Sequence, residues 1–433
     1  MRVLMFGWEF PPHISGGLGT ACYGLTKAMS DIPGLDVLFV VPKAFGDEDQ
    51  SIAQFIGAND VYVSKKKLSP KGFSNILNVI EVDSKLIPYT SPEEFYTLLE
   101  KFETAHSRIR QSGDYEGHFE FSGGYGSSLF MEIYNYSIVA SIIGVENDFD
   151  VIHAHDWLTY PAGIAAKEVS GKPLVIHVHA TDFDRSGGNV NPAVFKIEKE
   201  GMIAADKIIT VSNWTRDIVI NKYGINPDKV VTVHNAVEPI SDVEKYAIRK
   251  GIQDKIVTFL GRITMQKGPE YFIEAAYKVL QKMDNVRFVM AGSGDMMNKM
   301  ILRAAQLGIA NRFHFTGFLS GEDVYQMYSI SDVYVMPSVS EPFGISPLEA
   351  IQSNVPVIIS KQSGVSEVLK YAIKVDFWDI DAMADSIYGI LNYPALSMFF
   401  KKHGKEEVDN LKWENSAHAI NDIYHSVANK VFA

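Results

Sequence analysis

The feature that most constrains this chain is an alternation. Short runs of β-branched and other apolar residues recur, each followed by a glycine or polar turn and an amphipathic stretch. The first series is Val3–Phe6, Asp36–Val41, Val151–Ala154, Leu174–Val178 and Lys207–Val211. The second is Ile256–Leu260, Val286–Ala291, Phe313–Phe315, Val333–Met336 and Val355–Ile359. Near-continuous apolar strands alternating with helices predict parallel sheets covered on both faces. Ten runs exceed one mononucleotide-type sheet, so the expected class is α/β with two doubly wound, Rossmann-like domains. The break falls in Ala236–Asp254, where polar residues replace the strand pattern, giving domains at 1–240 and 241–412. Beyond it, Trp413, Ala417, Ile420, Ile423, Val427 and Val431 recur at helical spacing. Residues 43–125 fit the alternation poorly and read as an insertion. They hold strand-like runs at Asp60–Ser64 and Asn75–Val82 and a helix from about Ser91. A long irregular stretch in a compact domain points to function or mobility.

Charge and cysteine usage narrow the partners. With 40 Lys and Arg against 52 Asp and Glu, the net charge is −12, which argues against nucleic acid and against an anionic bilayer. The tripeptide Lys65–Lys67 is the one local exception considered. Cys22 is the sole cysteine, so no intramolecular disulfide exists and a reducing compartment is expected. The opening MRVLMFGWEF reads as a strand and not as a signal peptide, and apolar stretches such as Ser137–Val145 fall short of a bilayer span. The expectation is a cytoplasmic globular protein without stable membrane association.

Several strand ends carry chemistry. Gly16, Gly17 and Gly19 follow the first strand and precede a helix, where amides and the helix dipole suit a phosphate; a tight turn without a ligand explains them equally. His153 and His155 share one face of a strand, as do His177 and His179. Four histidines raise a zinc-type site, but strand ends of an open sheet favour a substrate role for His155 and His179, with His153 and His177 in the core. The pairs Asp148/Asp150 and Asp182/Asp184 resemble Mg²⁺–diphosphate holders, yet the first precedes a strand and the second lacks a third carboxylate. Both read as structural, and no metal is expected.

The second domain has the sharper set. Arg262 and Lys267 are the cations of the turn Gly261–Gly268, placed to grip a diphosphate or simply to sit solvated on the surface. Ser293 and Gly294 follow the next strand. Glu341 and Glu349 flank a turn marked by Gly344 and Pro347. Two carboxylates beside helix-start amides suit a polyhydroxylated anionic ligand.

In this order, Gly16-Gly17-Leu18, His153-Ala154-His155-Asp156-Trp157, Val211-Ser212, Gly261-Arg262 with Lys267-Gly268, and Glu341 with Glu349 resemble the retaining GT-B glycosyltransferases of family 4 and the related glycogen and starch synthases. The match spans the chain except residues 43–125. The resemblance implies two domains facing a cleft, a final helix returning from Trp413 to the first domain, and a nucleotide-sugar held mainly by the second. It implies that Arg262 and Lys267 neutralise the donor diphosphate, Glu349 holds the ribose and Glu341 contacts the transferred sugar. The amides of Gly344, Ile345 and Gly17, with Gly16 beside it, would hold phosphate. Ser293 and Gly294 would lie beside the donor. His155 would lie near the sugar's 6-hydroxyl, with Asp156, Trp157 and His179 toward acceptor or sugar. Transfer with retention, no cofactor beyond the nucleotide-sugar co-substrate, and no metal follow from the same resemblance.

Two departures bear on specificity. Synthases that use ADP-glucose carry lysine two residues before the glycine pair, where this chain has Ile14, which turns the expectation to UDP-glucose. The segment EPFGISPLEA is the family 4 version, whereas the His-Asp-Trp triplet leans toward an α-glucan acceptor, helped by aromatic residues of the insertion such as Phe73, Tyr89, Phe95 and Tyr96. The rivals are a hexosyltransferase acting on a lipid-linked or small soluble acceptor, a nucleotide-sugar epimerase, and a non-catalytic GT-B binding module.

Overall fold

A computed structural model describes residues 1–13, 16–64, 116–126, 128–240 and 243–429. The first sheet comprises β1 (Arg2–Phe6), β2 (Asp36–Val41), β3 (Gln54–Gly57), β6 (Val151–His155), β7 (Leu174–Val178), β8 (Lys207–Thr210) and β9 (Val230–Thr232). Its order is β3-β2-β1-β6-β7-β8-β9, parallel throughout. A short antiparallel pair, β4 (Val63–Ser64) and β5 (Glu116–Gly117), stands apart. The second sheet comprises β10 (Lys255–Leu260), β11 (Val286–Ala291), β12 (Phe313–Gly317), β13 (Val333–Met336), β14 (Val357–Ser360) and β15 (Ile373–Val375). Its order, β12-β11-β10-β13-β14-β15, is again parallel.

The two doubly wound domains are therefore present, and β2, β7, β11 and β13 have the expected bounds. Strands β3, β9 and β15 were not anticipated. They are edge or near-edge strands of three or four residues, too short for an alternation to register. The expected run Val355–Ile359 begins pairing only at Val357, because Pro356 offers no N–H and contributes its carbonyl to Tyr334 instead. Of the insertion, Asn75–Val82, the helix near Ser91, Lys65–Lys67 and the aromatics Phe73, Tyr89, Phe95 and Tyr96 lie outside the described residues.

One helix is longer than its sequence run implied. Leu129–Glu146 has 18 residues and is apolar enough to cross a bilayer by length and composition, yet 78% of it is buried inside the protein. Its Ile133, Tyr136, Val139, Ala140 and Ile143 pack in the core beneath β1, β2 and β6, so it reads as a core helix.

The helix Trp413–Ala428 returns to the first domain. Trp413, Ala417, Ile420, Tyr424 and Val427 join the core formed with Cys22, Leu25 and Met29 of the helix Gly17–Ser30 and the outer face of β1 and β2. Tyr424 reaches His153 Nδ1 with its hydroxyl at 2.6 Å. The chain thus crosses between domains twice, and the carboxyl ends of both sheets carry the loops of interest.

Candidate functional site

On the second sheet, two glycine turns at neighbouring strand ends interlock. The turn after β10 carries Arg262, and the turn after β11 carries Ser293. Ile263 donates its amide to the Ser293 carbonyl at 2.8 Å. A Cβ on Gly292, whose φ is +144°, would stand 1.8 Å from the Gly261 carbonyl oxygen, so only glycine permits the approach. Ser293 and Gly294 remain exposed at the surface. Arg262 is also exposed, and its guanidinium has no partner among the described residues. Lys267 ends a short 3₁₀ turn, Met265–Lys267, and places Nζ 2.5 Å from Glu341 Oε2. Ser338 donates to the same oxygen at 3.1 Å.

Glu341 is buried in the loop after β13, tied by its amide to the Gln362 carbonyl and by its carbonyl to the Gly364 amide. Three residues on, Gly344 adopts φ +100°, and a Cβ there would press on Glu341 Cγ and Met336. That turn feeds the helix Ser346–Gln352, and the amides of Gly344 and Ile345 have no acceptor among the described residues. Glu349 stands in the first turn, partly accessible and without a hydrogen-bond partner among the described residues. Desolvation pushes its pKa up to about 7. A half-ionised carboxylate with free lone pairs suits paired hydroxyls. Arg262, Lys267, Glu341, Gly344, Ile345 and Glu349 thus gather at the carboxyl edge of one sheet.

On the first domain, Gly16 and Gly17 are exposed at the start of the helix Gly17–Ser30, with open space around both Cα atoms. Beneath them the buried carboxylate of Glu9 accepts the Gly19 amide at 3.2 Å.

The histidines correct the sequence reading. His155 does not sit open at the sheet edge: β6 extends through it, it pairs with His177 in register, and it is fully buried. Its Nδ1 meets His179 Nε2 at 2.9 Å, and His179, beyond the end of β7, is the partly accessible ring. Trp157 is corrected as well. At 2% exposure it packs on Phe130 in the core with Arg185 over its ring, so no sugar face can stack on it here. Burial keeps all four histidines neutral, with His153 and His179 lowered to about 3.

These rings also test the metal reading. Nitrogens of His153, His155 and His177 lie within 4.8 Å of one another, as do Cys22 Sγ and nitrogens of His155 and His179. Ligand nitrogens around a zinc ion stand only about 3.4 Å apart. The rings of His153 and His155 lie 4.2 Å apart, tilted by 33°, and Nδ1 of each already has a partner within the protein, the Tyr424 hydroxyl and His179 Nε2.

Asp156 holds φ +64°, uncommon for a residue with a Cβ. It is buried, accepts the Ala180 amide at 3.3 Å, and lies 3.7 Å from the Arg185 guanidinium. Burial raises its pKa to about 6, against the pull of Arg185. Arg185 was not anticipated from sequence. It is the hub of a buried cluster, 2.5 Å from Glu198 and 3.6 Å from Asp182. Burial lifts Glu198 to about 8 despite that arginine, and its other oxygen takes the Tyr223 hydroxyl. The legible signal was the Thr181-x-x-Asp184 box opening the helix Asp182–Ser186. Both Asp-x-Asp pairs have structural partners: Asp150 accepts the Arg2 amide, Asp182 that of Asn191, and Asp184 that of Thr181.

Comparison with known proteins agrees with this layout. Residues 242–407 match the family model described as Glycosyl transferases group 1, and residues 118–240 match that described as Glycosyltransferase Family 4. An uncharacterised glycosyltransferase of Methanocaldococcus jannaschii is 28% identical over 98% of both chains. Glycogen synthase of Mycobacterium tuberculosis is 22% identical over 98% of this chain and 94% of its own. Among solved structures, Anabaena HepE in complex with UDP and glucose superposes with a TM-score of 0.66 at 16% identity, covering 98% of this chain and all of its own. With two parallel-sheet domains, each carrying a match to a glycosyltransferase family model, and a helix that returns to the first domain, this chain is a glycosyltransferase of the GT-B type.

Proposed function

We propose that the protein moves glucose from UDP-glucose to the non-reducing end of an α-1,4-glucan with retention of configuration and without a metal. The observation that carries this reading is the Lys267–Glu341 pair beside an unpartnered Arg262, at the edge where Glu349 and the Gly344 and Ile345 amides also gather. Glu349 accepts ribose hydroxyls, and Glu341 holds the sugar's hydroxyls while fixing Lys267. The diphosphate leaves through an oxocarbenium-like transition state as the acceptor hydroxyl arrives on the same face. Arg262, Lys267 and the amides stabilise the charge growing on the leaving group. A departing phosphate oxygen takes the acceptor proton, so no separate base is required. His179, not the buried His155, is then the imidazole within reach of the cleft.

The choice of uridine rests on Ile14 and on the UDP bound by HepE; that of a glucan rests on the glycogen synthase relation. The burial of Trp157 favours a second reading, a small soluble acceptor, because the aromatic expected to face a glucan chain is enclosed. Initial rates with UDP-, ADP- and GDP-glucose on glycogen and on maltooligosaccharides of increasing length decide both points. Fastest transfer from UDP-glucose, rising with acceptor length and surviving excess EDTA, is the expected outcome. Faster transfer from ADP-glucose overturns the donor assignment, and transfer confined to small acceptors establishes the second reading.

A further inference from the structure

The helix Asp182–Ser186 belongs to the first domain but touches the donor turn of the second. Asp184, 1% exposed, divides its carboxylate. Oδ2 accepts the Thr181 amide at 2.8 Å and the Thr181 hydroxyl at 2.7 Å, closing the capping box of its own helix. Oδ1 accepts the hydroxyl of Ser340, in the other domain, at 2.5 Å. At the end of the same helix, Gly187 lies so close to Met265 that a Cβ would stand 2.6 Å from the methionine methyl. Met265 opens the turn that carries Lys267.

Ser340 is a node on the donor side. Its carbonyl accepts from Gln266 Nε2 at 3.2 Å, and the Gln266 carbonyl in turn accepts the Val339 amide at 2.9 Å. Gln266 and Lys267 are adjacent in one turn, and Ser340 and Glu341 in the other. The Ser340 hydroxyl also receives the indole N–H of Trp214, from the first domain, at 3.2 Å. The frame around the Lys267–Glu341 pair is thus closed by a buried carboxylate from across the cleft. A second contact between the domains, Ser212 to the Pro342 carbonyl at 2.5 Å, holds the other chain neighbour of Glu341.

We propose that Asp184 is a positioning residue for sugar transfer: through Ser340 it sets the register of the Lys267–Glu341 pair against the first domain. The inference rests on the proposed function for its chemical consequence, but not for its structural one. A buried hydrogen bond to a carboxylate is short and directional, which suits a group that must hold one arrangement of two domains. It assigns a role to the second Asp-x-Asp pair other than metal binding.

The test uses Ser340→Ala, which removes the hydroxyl and leaves the capping box intact, with Ser340→Thr as the conservative variant and Asp184→Asn from the other side. In donor-saturated assays, Ser340→Ala is expected to lower kcat about tenfold with little change in thermal midpoint. Ser340→Thr is expected to recover most of it, and the Asp184→Asn/Ser340→Ala double variant to be no worse than the poorer single. Turnover within twofold of wild type, no recovery with threonine, or fully multiplicative losses each overturn the proposal. Amide exchange in the unliganded full-length protein gives a readout independent of activity. Amides of 264–268 and 339–345 should exchange faster in both single variants, and unchanged exchange overturns it. If wild type transfers no sugar while exchange responds as expected, the functional reading fails and the positioning link stands.

Discussion

Lys267 Nζ lies 2.5 Å from Glu341 Oε2, a contact made across 74 residues of sequence and between two strand-end loops of one sheet. Each partner needs the other. Glu341 is 6% exposed, and a buried carboxylate without a counter-charge is costly; Lys267 on a solvated surface alone would not be held in one place.

On the proposed function, Lys267→Ala has two effects: it removes a cation near the leaving group and leaves the buried Glu341 without its counter-charge. Removing one stabilising contact to a developing charge costs about 2–4 kcal/mol of barrier, a fall in kcat of roughly thirtyfold to a thousandfold. Because the partners share one interaction, Lys267→Ala/Glu341→Gln should lose less than the product of the single losses. Donor-saturated initial rates check this; normal kcat with only a raised KM would place Lys267 in ground-state binding alone.

On the proposed function, Glu349 makes donor binding depend on pH. Its pKa is raised by burial to about 7, and the ionised form is the better acceptor for ribose hydroxyls. Below pH 7 the protein must lose that proton to bind, so affinity for UDP should weaken toward roughly tenfold per pH unit. Glu349→Gln should bind weakly and keep only the slope of the UDP terminal phosphate, whose second pKa is about 6. Calorimetric titration with UDP from pH 5.5 to 8.5 measures both proteins, and equal slopes would assign the effect to a group other than Glu349.

The buried imidazoles bear on stability. Neither nitrogen of His177 has a partner among the described residues, and burial lowers its pKa well below 6.5. In the unfolded chain it gains a proton below about 6.5, while in the folded protein it stays neutral. Unfolding then takes up a proton, so His177 lowers stability as pH falls through that value. His177→Leu removes this burden. The variant should gain stability relative to wild type, by up to about 2 kcal/mol more at pH 5 than at pH 8. Denaturant midpoints at the two pH values decide it, and an equal effect at both would contradict the assignment.

Much of the fold is legible in the sequence. Long apolar runs such as β2 and β13 announce buried parallel strands because both faces are covered, and the glycine turns announce strand ends. Arg262 and Lys267 could be placed on the turn after β10, and Glu341 and Glu349 on either side of the Gly344 turn after β13, because glycines mark both turns. The depth of a side chain was not readable. His155 and Trp157 lie next to a strand end too, but β6 continues one residue further and the helix Leu129–Glu146 closes over the tryptophan, which turns both inward. Arg185, Glu198 and Tyr223 escaped notice for another reason. Their link is a buried charge cluster spanning separate elements, and neither periodicity nor local spacing encodes it.

The returning helix offers the clearest stability test, because one glycine decides whether it docks. Gly24, in the middle of the helix Gly17–Ser30, faces the indole of Trp413, and a Cβ there would stand 2.3 Å from Nε1. No small rotation of so large a ring relieves that overlap in a packed interior. Gly24→Ala should destabilise the first domain by about 1–3 kcal/mol through overpacking, despite alanine's better helix propensity. Trp413→Ala, which empties the same site, should cost about 3–5 kcal/mol. Combined with Trp413→Leu, the alanine at position 24 should become nearly neutral, because the shorter side chain vacates the space. Urea unfolding of wild type, Gly24→Ala, Trp413→Leu and their double variant measures the coupling. If Gly24→Ala is equally harmful with Trp413 and with leucine at that position, the packing of these two helices on one another is not what limits the site.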